Sequence, residues 1–554
     1  MTAAENSQTR PPLRKRLFRK KPHRRYGERE DRIRRRFGIA FSILALILGI
    51  YYLIWHYHFI NWSCWYVSVP FFICECVGFL LFAFFFSTTC FPRHHDPTGI
   101  KSDRIFNVDV FITTCGEPLE ILRQTLQGAV DITYEPKTVY ILDDKANPKV
   151  AALANGYGVR YLARGQHLDS KAGNLNYGLA HSQGDLILTL DADQVPYPEI
   201  LSRLVGYFNI SSIGFVQSKQ NFLIPPGDPF GNADKVFYNV MQCGKDWDNA
   251  AFSCGSGVVY RRRALEEVGG FSTWNIVEDV HTSMLLHQRG WRSVYHDYPL
   301  SIGTTPTDIW GVYRQRGQWA ADSLRLLFWD NPFWRRGLTL KQKMQYFNLG
   351  FVYLVSAFFM PLFFIVPIWA IFTSQFVLTA SVPDYLSHRL PFFIAMSVGY
   401  AVLNYPTPYL HAYQMWTGLF PSFLNATFVA LSHRRIKPAY LVTSKKEVME
   451  LPRPAVVAVL PQLLIILGAL AAIIYGLFIH SRPLDFILLN CAWATWSIWT
   501  MSAIVMAALF RSPREVPEIP WFTPQQIIAN VLAMALFLFL FLLAAVLIMQ
   551  FSRG

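Results

Sequence analysis

Two blocks of long apolar sequence, separated by a stretch of ordinary polarity, constrain this chain more than any other feature. A helix that crosses a bilayer needs about 20 apolar residues. Phe37–Tyr57 and Tyr66–Phe86 each reach that length, joined by a short aromatic turn. From Pro92 to about Trp334 the pattern changes to short apolar strands alternating with mixed helices, at normal charge density. Beyond Lys343 the long apolar runs return as Phe347–Phe372, Ala455–Phe478, Leu484–Phe510 and Ile527–Phe551. Pro391–Leu403 is shorter and reads as a further span. Tyr409–Leu431 carries Trp, Tyr, His and Pro on an amphipathic pattern and reads as an interfacial helix. The apolar share of 52% and the charged share of 16% exclude a disordered or wholly soluble chain.

Charge sets the expected orientation. The chain carries 51 Lys and Arg against 37 Asp and Glu, a net +14. Most of that excess lies in residues 1–36, directly before the first apolar run. A basic run can mark nucleic-acid binding. One that abuts a span is better explained as a cytoplasmic anchor against anionic lipid, so no nucleic-acid partner is expected. His433, Arg434, Arg435, Lys437, Lys445, Lys446, Arg511 and Arg514 fall on the same side when seven spans are counted. The N-terminus is then inside and the C-terminus outside. The eight cysteines show no CxxC spacing, so neither a zinc site nor a disulfide framework is expected.

Within the polar stretch, three strand ends carry chemistry. Val108–Thr114 runs into the loop Cys115-Gly116-Glu117-Pro118, with a helix from about Leu119. A second strand ends in Asp143-Asp144, and a third, Gly184–Leu190, ends in Asp191-Ala192-Asp193. Open α/β sheets bind ligands at the carboxyl ends of their strands. In an extended segment, positions i and i+2 face one side, so Asp191 and Asp193 could share a hard divalent cation. A lone DxD is common in solvated loops; three acidic strand ends in βαβ order are not. Lys171-Ala172-Gly173-Asn174, with Gly178 further on, suits a diphosphate held close to backbone, or equally an ordinary helix start. Glu278-Asp279 offers a carboxylate able to take a proton from a hydroxyl. Gln315, Arg316 and Trp319 offer polar, cationic and aromatic groups near the membrane.

Together these segments resemble the processive, membrane-integral family-two glycosyltransferases of the cellulose synthase and curdlan synthase type, over about residues 37–510. The resemblance implies a GT-A-like (Rossmann-like) α/β cytosolic domain inserted in an α-helical transmembrane bundle of about seven spans. It divides the chain into a basic tail (1–36), a transmembrane hairpin (37–91), a catalytic domain (92–335) and a channel region (336–554) with a gating loop at 440–445. By the same resemblance Asp143 contacts the nucleotide, and Asp191 and Asp193 hold Mg²⁺ or Mn²⁺ and the donor diphosphate. Thr114, Glu117, Lys171, Gln315 and Arg316 complete the donor site. Asp279 is the general base of a TED motif in which Val277 replaces Thr. Trp319 closes a QxxRW motif and stacks under the acceptor sugar, while Phe252, Cys254 and Gly255 line the acceptor site as FxCGS. Thr443 and Lys445 belong to an FxVTxK gating loop. Gln318 departs from the motif by replacing its Arg, which removes one cation from the diphosphate.

The implied activity is inverting, processive transfer of glucose from UDP-glucose to a growing β-glucan that moves across the inner (plasma) membrane. UDP-glucose, the nascent polysaccharide, membrane lipids and accessory export subunits are the implied partners. A UDP-GlcNAc-using synthase and a non-processive lipid-linked transferase are the nearest alternatives. An inactive sugar-binding scaffold or transporter is the alternative of another class.

Overall fold

The structure, a computed structural model, describes residues 28–165, 167–224, 227–407, 409–438, 454–479, 483–509 and 516–517. Two long apolar helices, α1 (Glu28–His58) and α2 (Trp65–Thr89), come first. The chain then enters a mixed sheet of nine strands. These are β1 (Val108–Thr114), β2 (Lys137–Asp143), β3 (Arg160–Ala163), β4 (Leu186–Asp191), β5 (Gln194–Pro196), β6 (Ile213–Ile224), β7 (Val258–Arg261), β8 (Arg292–Thr304) and β9 (Val516–Pro517). Their order is β3-β2-β1-β4-β7-β6-β8-β5, with β9 added against β6. β3, β2, β1 and β4 are parallel neighbours, and β7 pairs antiparallel to both β4 and β6.

Helices cover both faces of the parallel half, so its inner strands β1 and β4 are buried on both sides. Every residue of β1 is buried. Val108, Val110 and Ile112 pack with Leu122 and Leu126 of α3 (Leu119–Val130) and with Val150 and Ala154 of α4 (Pro148–Gly156). Phe111 points to the other face, among Tyr140, Leu175 of α5 (Ser170–Ala180), Phe215, Tyr260 and Leu286. That alternation is the period of two expected of an extended strand. Helix starts follow local chemistry. Asn147 accepts from the Lys149 N–H at 3.0 Å, with Pro148 pre-set for the first helical position.

Further along the chain come α6 (Gln242–Trp247), α7 (Asp279–Gln288) and α8 (Ile309–Trp329). The second apolar block follows as α9 (Leu340–Leu354), which runs through a π-helical turn at Val355–Phe359 into α10 (Met360–Thr373). After it come α11 (Val382–Asn404), α12 (Tyr409–Gly418), α13 (Phe420–Ser432), α14 (Leu460–Phe478) and α15 (Leu484–Leu509). Among the described residues six helices are long and apolar enough to cross a membrane: Glu30–His58, Trp62–Thr89, Leu340–Thr373, Val382–Asn404, Leu460–Phe478 and Leu484–Leu509. The seventh expected span, Ile527–Phe551, and the gating loop at 440–445 lie outside the described residues.

Two expectations change in detail. The short span read at Pro391–Leu403 begins nine residues earlier, at Val382, because Ser381 caps the helix through the Asp384 N–H and Pro391 is carried inside it. The single interfacial helix read at Tyr409–Leu431 is two helices broken at Leu419, where Pro421 lacks the N–H that a continuous helix would need.

α8 joins the two halves. It packs along α13 and α9, and its Trp329 indole donates to the Ala430 carbonyl at 2.7 Å. Tyr313 donates to the Ala458 carbonyl at 3.0 Å and receives a bond from Gln462. The end of α2 meets α6 so closely that a Cβ on Gly244 would fall 1.8 Å from the Thr88 carbonyl oxygen. The sheet core should be the stability-limiting part of the soluble half. Phe111→Ala, at a fully buried position, is expected to cost about 3–5 kcal/mol and to lower the thermal midpoint of detergent-solubilised protein.

Candidate active site

The parallel register brings three strand ends to one edge. Thr114 of β1 lies beside Asp143 of β2, and Thr113 lies beside Asp191 of β4. The loop after β1 is closed by Glu117, whose carboxylate accepts from the Thr114 hydroxyl at 2.8 Å and the Cys115 N–H at 2.7 Å. Asp143 is 1% exposed. Its carboxylate accepts from the N–H groups of Lys145 and Asn147 and from the Tyr161 hydroxyl, so in this state it shapes the turn after β2. The neighbouring Asp144 pairs with Arg164 instead, at 2.5 Å.

Lys171, in the first turn of α5, is the hub. Its Nζ lies 2.8 Å from Asp191 Oδ1 and 3.0 Å from Glu278 Oε1, and it donates to the Gly255 carbonyl at 2.9 Å. Burial acts to lower the Lys171 pKa, but Asp191 and Glu278 outweigh it and hold the ammonium well above its ordinary range. The rest of the Lys171–Gly178 segment serves packing. Asn174 donates to the Leu142 carbonyl and Asn176 to the Phe271 carbonyl. A Cβ on Gly173 would sit 2.2 Å from the Leu168 carbonyl oxygen, and one on Gly178 would strike Leu142. Asp193 turns away from this hub, accepting from the Thr304 hydroxyl of β8 at 2.6 Å.

Asp279 opens α7 on the wall of a cavity of about 1090 Å³. Burial, then the Glu278 carboxylate, push its pKa up to about 7, with Lys171 acting the other way. Its Oδ1 accepts from the Val280 N–H at 2.7 Å. Gly255 is what allows the approach of the FxCGS segment. Its φ is +76°, and a Cβ there would lie 3.0 Å from Lys171 Nζ and 3.3 Å from Asp279 Oδ2. The loop before Asp279 is held from α8, where the buried Asp322 accepts from the N–H groups of Ile276 and Val277 at 2.9 and 2.8 Å. Burial pushes the Asp322 carboxyl up to about 8 despite those two donors. Arg325 completes the clamp by donating to the Trp274 carbonyl and Asn275 Oδ1.

The same cavity is lined by Phe252, Cys254, Arg316 and Trp319. The Arg316 guanidinium stacks over the Trp319 ring at 4.7 Å and pairs with Asp234 at 2.6 Å. Arg316 therefore belongs to the cavity wall beside the aromatic platform, paired with Asp234 and apart from the Lys171 hub. Gln315 and Gln318 are half-buried on the same helix. Burial pushes the Cys254 thiol well above its usual range, which makes it a wall residue and a poor nucleophile. Lys245, 1% exposed, lies 5.7 Å from the Phe252 ring and donates to Gln345 of α9. Thr443 and Lys445 lie outside the described residues. Asp322, Asp234 and Lys245 escape a sequence reading, being isolated charges whose surroundings only the fold assembles; Glu278 was legible only as the acid beside Asp279.

A family model described as Glycosyltransferase like family 2 matches residues 107–321, and one described as Cellulose synthase matches residues 266–405. A UDP-forming cellulose synthase 1 catalytic subunit from Komagataeibacter xylinus is 30% identical over 501 residues, covering 85% of this chain and 66% of the relative. A UDP-forming cellulose synthase catalytic subunit from Komagataeibacter sucrofermentans is 30% identical over 520 residues, covering 88% and 67%. A longer cellulose synthase 1 from Komagataeibacter xylinus is covered over only 33% of its length. Among solved structures, a mannosyltransferase from Pyrobaculum calidifontis aligns over 66% of this chain and 99% of its own, at 17% identity and a TM-score of 0.47, too remote to carry an argument. The matched segments contain the strand ends, the Lys171 hub, Asp279 and the first part of the membrane bundle, and on that extent of likeness the chain belongs to the cellulose synthase family of family-two glycosyltransferases.

Proposed function

We propose that the chain is a processive, inverting β-glucan synthase that transfers glucose from UDP-glucose to a growing polysaccharide and passes the product across the membrane, as curdlan, cellulose or a mixed-linkage glucan. The observation that carries this reading is a single cavity. Asp279, Cys254 and Trp319 line it at the catalytic end, and Tyr385, Asn490 and Trp493 of the apolar helices line it further on. A non-processive transferase has no need of a cavity that enters the membrane helices. The curated relatives are named as UDP-forming cellulose synthases, which supports UDP-glucose over UDP-GlcNAc. In this reading residues 92–335 are the catalytic domain on the side of the basic tail, facing the cytoplasm by the positive-inside rule. The C-terminus lies outside, and the protein resides in the inner (plasma) membrane.

The Lys171 hub has the charge for a divalent cation. Asp191, Glu278 and Asp279 are three carboxylates against one ammonium, an excess of two negative charges when all are ionised. Asp191, partly exposed, and Asp193 would hold Mg²⁺ or Mn²⁺, which when bound supplies charge neutralisation for a departing diphosphate. Thr114, Glu117 and Asp143 border the nucleotide, and Lys171 the diphosphate. Gln315 and Arg316, with Thr443 and Lys445 of the gating loop, complete the donor site on the family resemblance alone. Phe252, Cys254, Gly255 and Trp319 hold the acceptor sugar.

Asp279 then takes the proton of the acceptor hydroxyl as its oxygen attacks the anomeric carbon and the bond to UDP breaks. The reaction yields a chain one sugar longer, UDP and a proton. Burial, and then the Glu278 carboxylate, keep Asp279 basic enough for this, since a base with a pKa near the working pH is the most effective. Asp279→Asn keeps the shape and removes the basicity. It should abolish polymer synthesis while leaving UDP binding within about twofold of wild type, the loss being confined to proton transfer. Full polymer yield from that variant would overturn the assignment.

The pH dependence follows from the sign of the shift. Asp279 becomes a base as pH rises through about 7, so kcat/KM for UDP release should fall about tenfold per unit below that limb. Glu278→Gln removes a carboxylate that raises the Asp279 pKa, and should move the limb to lower pH; an unmoved limb would dissociate the two residues. Excess EDTA should stop turnover, and Asp193→Ala should weaken metal-dependent UDP binding.

A further inference from the structure

Away from the catalytic cluster, three metal-ligating side chains from distant segments meet where the chain leaves α2 for the sheet. His94 lies in the linker after α2, Cys243 in α6 and Asp297 in β8. His94 and Cys243 each offer one ligand atom there and Asp297 a carboxylate oxygen, and these three atoms lie within 4.8 Å of one another.

The backbone brings them together. The Arg93 N–H donates to the Cys243 carbonyl at 2.9 Å, which fastens the linker to α6 one residue before His94. In β8 the register against β6 breaks: His296 pairs with Ser218 and Pro299 with Lys219, so Asp297 and Tyr298 have no partner on β6. Such a bulge re-aims a side chain, and Asp297 Oδ2 comes to lie 2.7 Å from His94 Nδ1. The other Asp297 oxygen accepts from the His95 N–H at 3.1 Å, and the His95 ring meets Asp246 of α6 at 2.8 Å. A carboxylate held by its outer oxygen is oriented as metal ligands usually are.

The donor set selects the ion. A thiolate, an imidazole and a carboxylate suit Zn²⁺, with bonds of about 2.0–2.3 Å. A tetrahedron of that size sets its ligand atoms about 3.3–3.7 Å apart, so shifts of about an ångström close the site. Thiolate and carboxylate together cancel the charge of the ion, whereas Mg²⁺ is matched by oxygen ligands. Cys243 is fully buried and the His94 side chain is 40% exposed. An ion entering past His94 would meet protein on its inner side and keep a fourth position for water.

On binding, the Cys243 S–H bond breaks, its proton goes to solvent and an S–Zn bond forms. His94 binds through Nδ1 and carries its proton on Nε2. Arg35, 3.4 Å from that nitrogen, keeps its pair with Asp31 at 3.1 Å. The place is separate from Asp191 and Asp193. Asp297 precedes Thr304, the partner of Asp193, by seven residues of β8, about 20 Å at the rise of a strand.

We propose that His94, Cys243 and Asp297 form a site for one Zn²⁺ ion that fastens the segment leaving α2 to α6 and the sheet.

The test uses the full chain in detergent, without a polyhistidine tag and with excess Mg²⁺ to fill any all-oxygen site. Titration with Zn²⁺ should show one tight site per chain, and Co²⁺ in its place should give the near-ultraviolet absorption of a cobalt–thiolate bond. Cys243→Ser should abolish that absorption, and its persistence would mean that another cysteine binds the ion and overturns the site. Cys243 is buried, so His94→Gln guards against misfolding. It should bind Zn²⁺ about 100-fold more weakly than wild type, since even outer-shell changes cost about 10–100-fold. Zn²⁺ should raise the thermal midpoint of wild type more than that of His94→Gln, as any ligand of the native state does. Equal Zn²⁺ affinity in the two proteins, or no tight Zn²⁺ site in wild type, overturns the proposal. None of these readouts depends on polymer synthesis, so the site stands or falls apart from the synthase reading.

Discussion

One ammonium among carboxylates organises this protein. Lys171 reaches from the start of a helix to Asp191 at a strand end, to Glu278 before the next helix and to the Gly255 carbonyl between them. Three segments distant in sequence meet within hydrogen-bonding distance of one nitrogen. Without it, buried like charges would be left to repel, at a cost far above that of a surface ion pair. The local excess of negative charge that remains is what a divalent cation would balance, and it also keeps Asp279 from ionising early.

The second constraint is that Asp279 sits where the sheet domain and the apolar helices join. α8 performs that junction. Asp322 and Arg325 hold the loop that presents Asp279, while Arg316 and Trp319, earlier on the same helix, face the cavity. A rotation of this helix would move Asp279 and Trp319 together. Its contacts to α9, α13 and the Ala458 carbonyl tie that geometry to the membrane helices.

The sides proposed for donor and acceptor differ in how finished they are. Phe252, Cys254 and Trp319 already form a wall. On the donor side Asp143 and Asp193 are engaged by Tyr161 and Thr304, and those bonds must be exchanged if the two acids are to meet a nucleotide and a cation. Hydrogen bonds to a neutral hydroxyl are replaceable by a charged ligand at modest cost, since charge-assisted bonds are the stronger.

The sequence by itself determined the periodicities and the local chemistry. Apolar runs of span length, branched strands ending in acids, and the Gly255 and Asp279 motifs were all legible, because each is a property of neighbouring residues. The acidic strand ends come to lie side by side in the parallel register, and the Pro391–Leu403 and Tyr409–Leu431 boundaries shifted only where a cap or a proline acts locally. Only the tertiary structure decided partners. That Arg316 pairs with Asp234 at the cavity wall, that Asp193 turns to Thr304, and that Glu278 and Lys171 neutralise one another depends on contacts between segments far apart in the chain. The burial that pushes Asp279 toward 7, and the meeting of Glu75 with Arg389 across 314 positions of sequence, have the same origin. Desolvation and charge pairing are properties of an assembled interior, and no local pattern of residues encodes which side chains will share it.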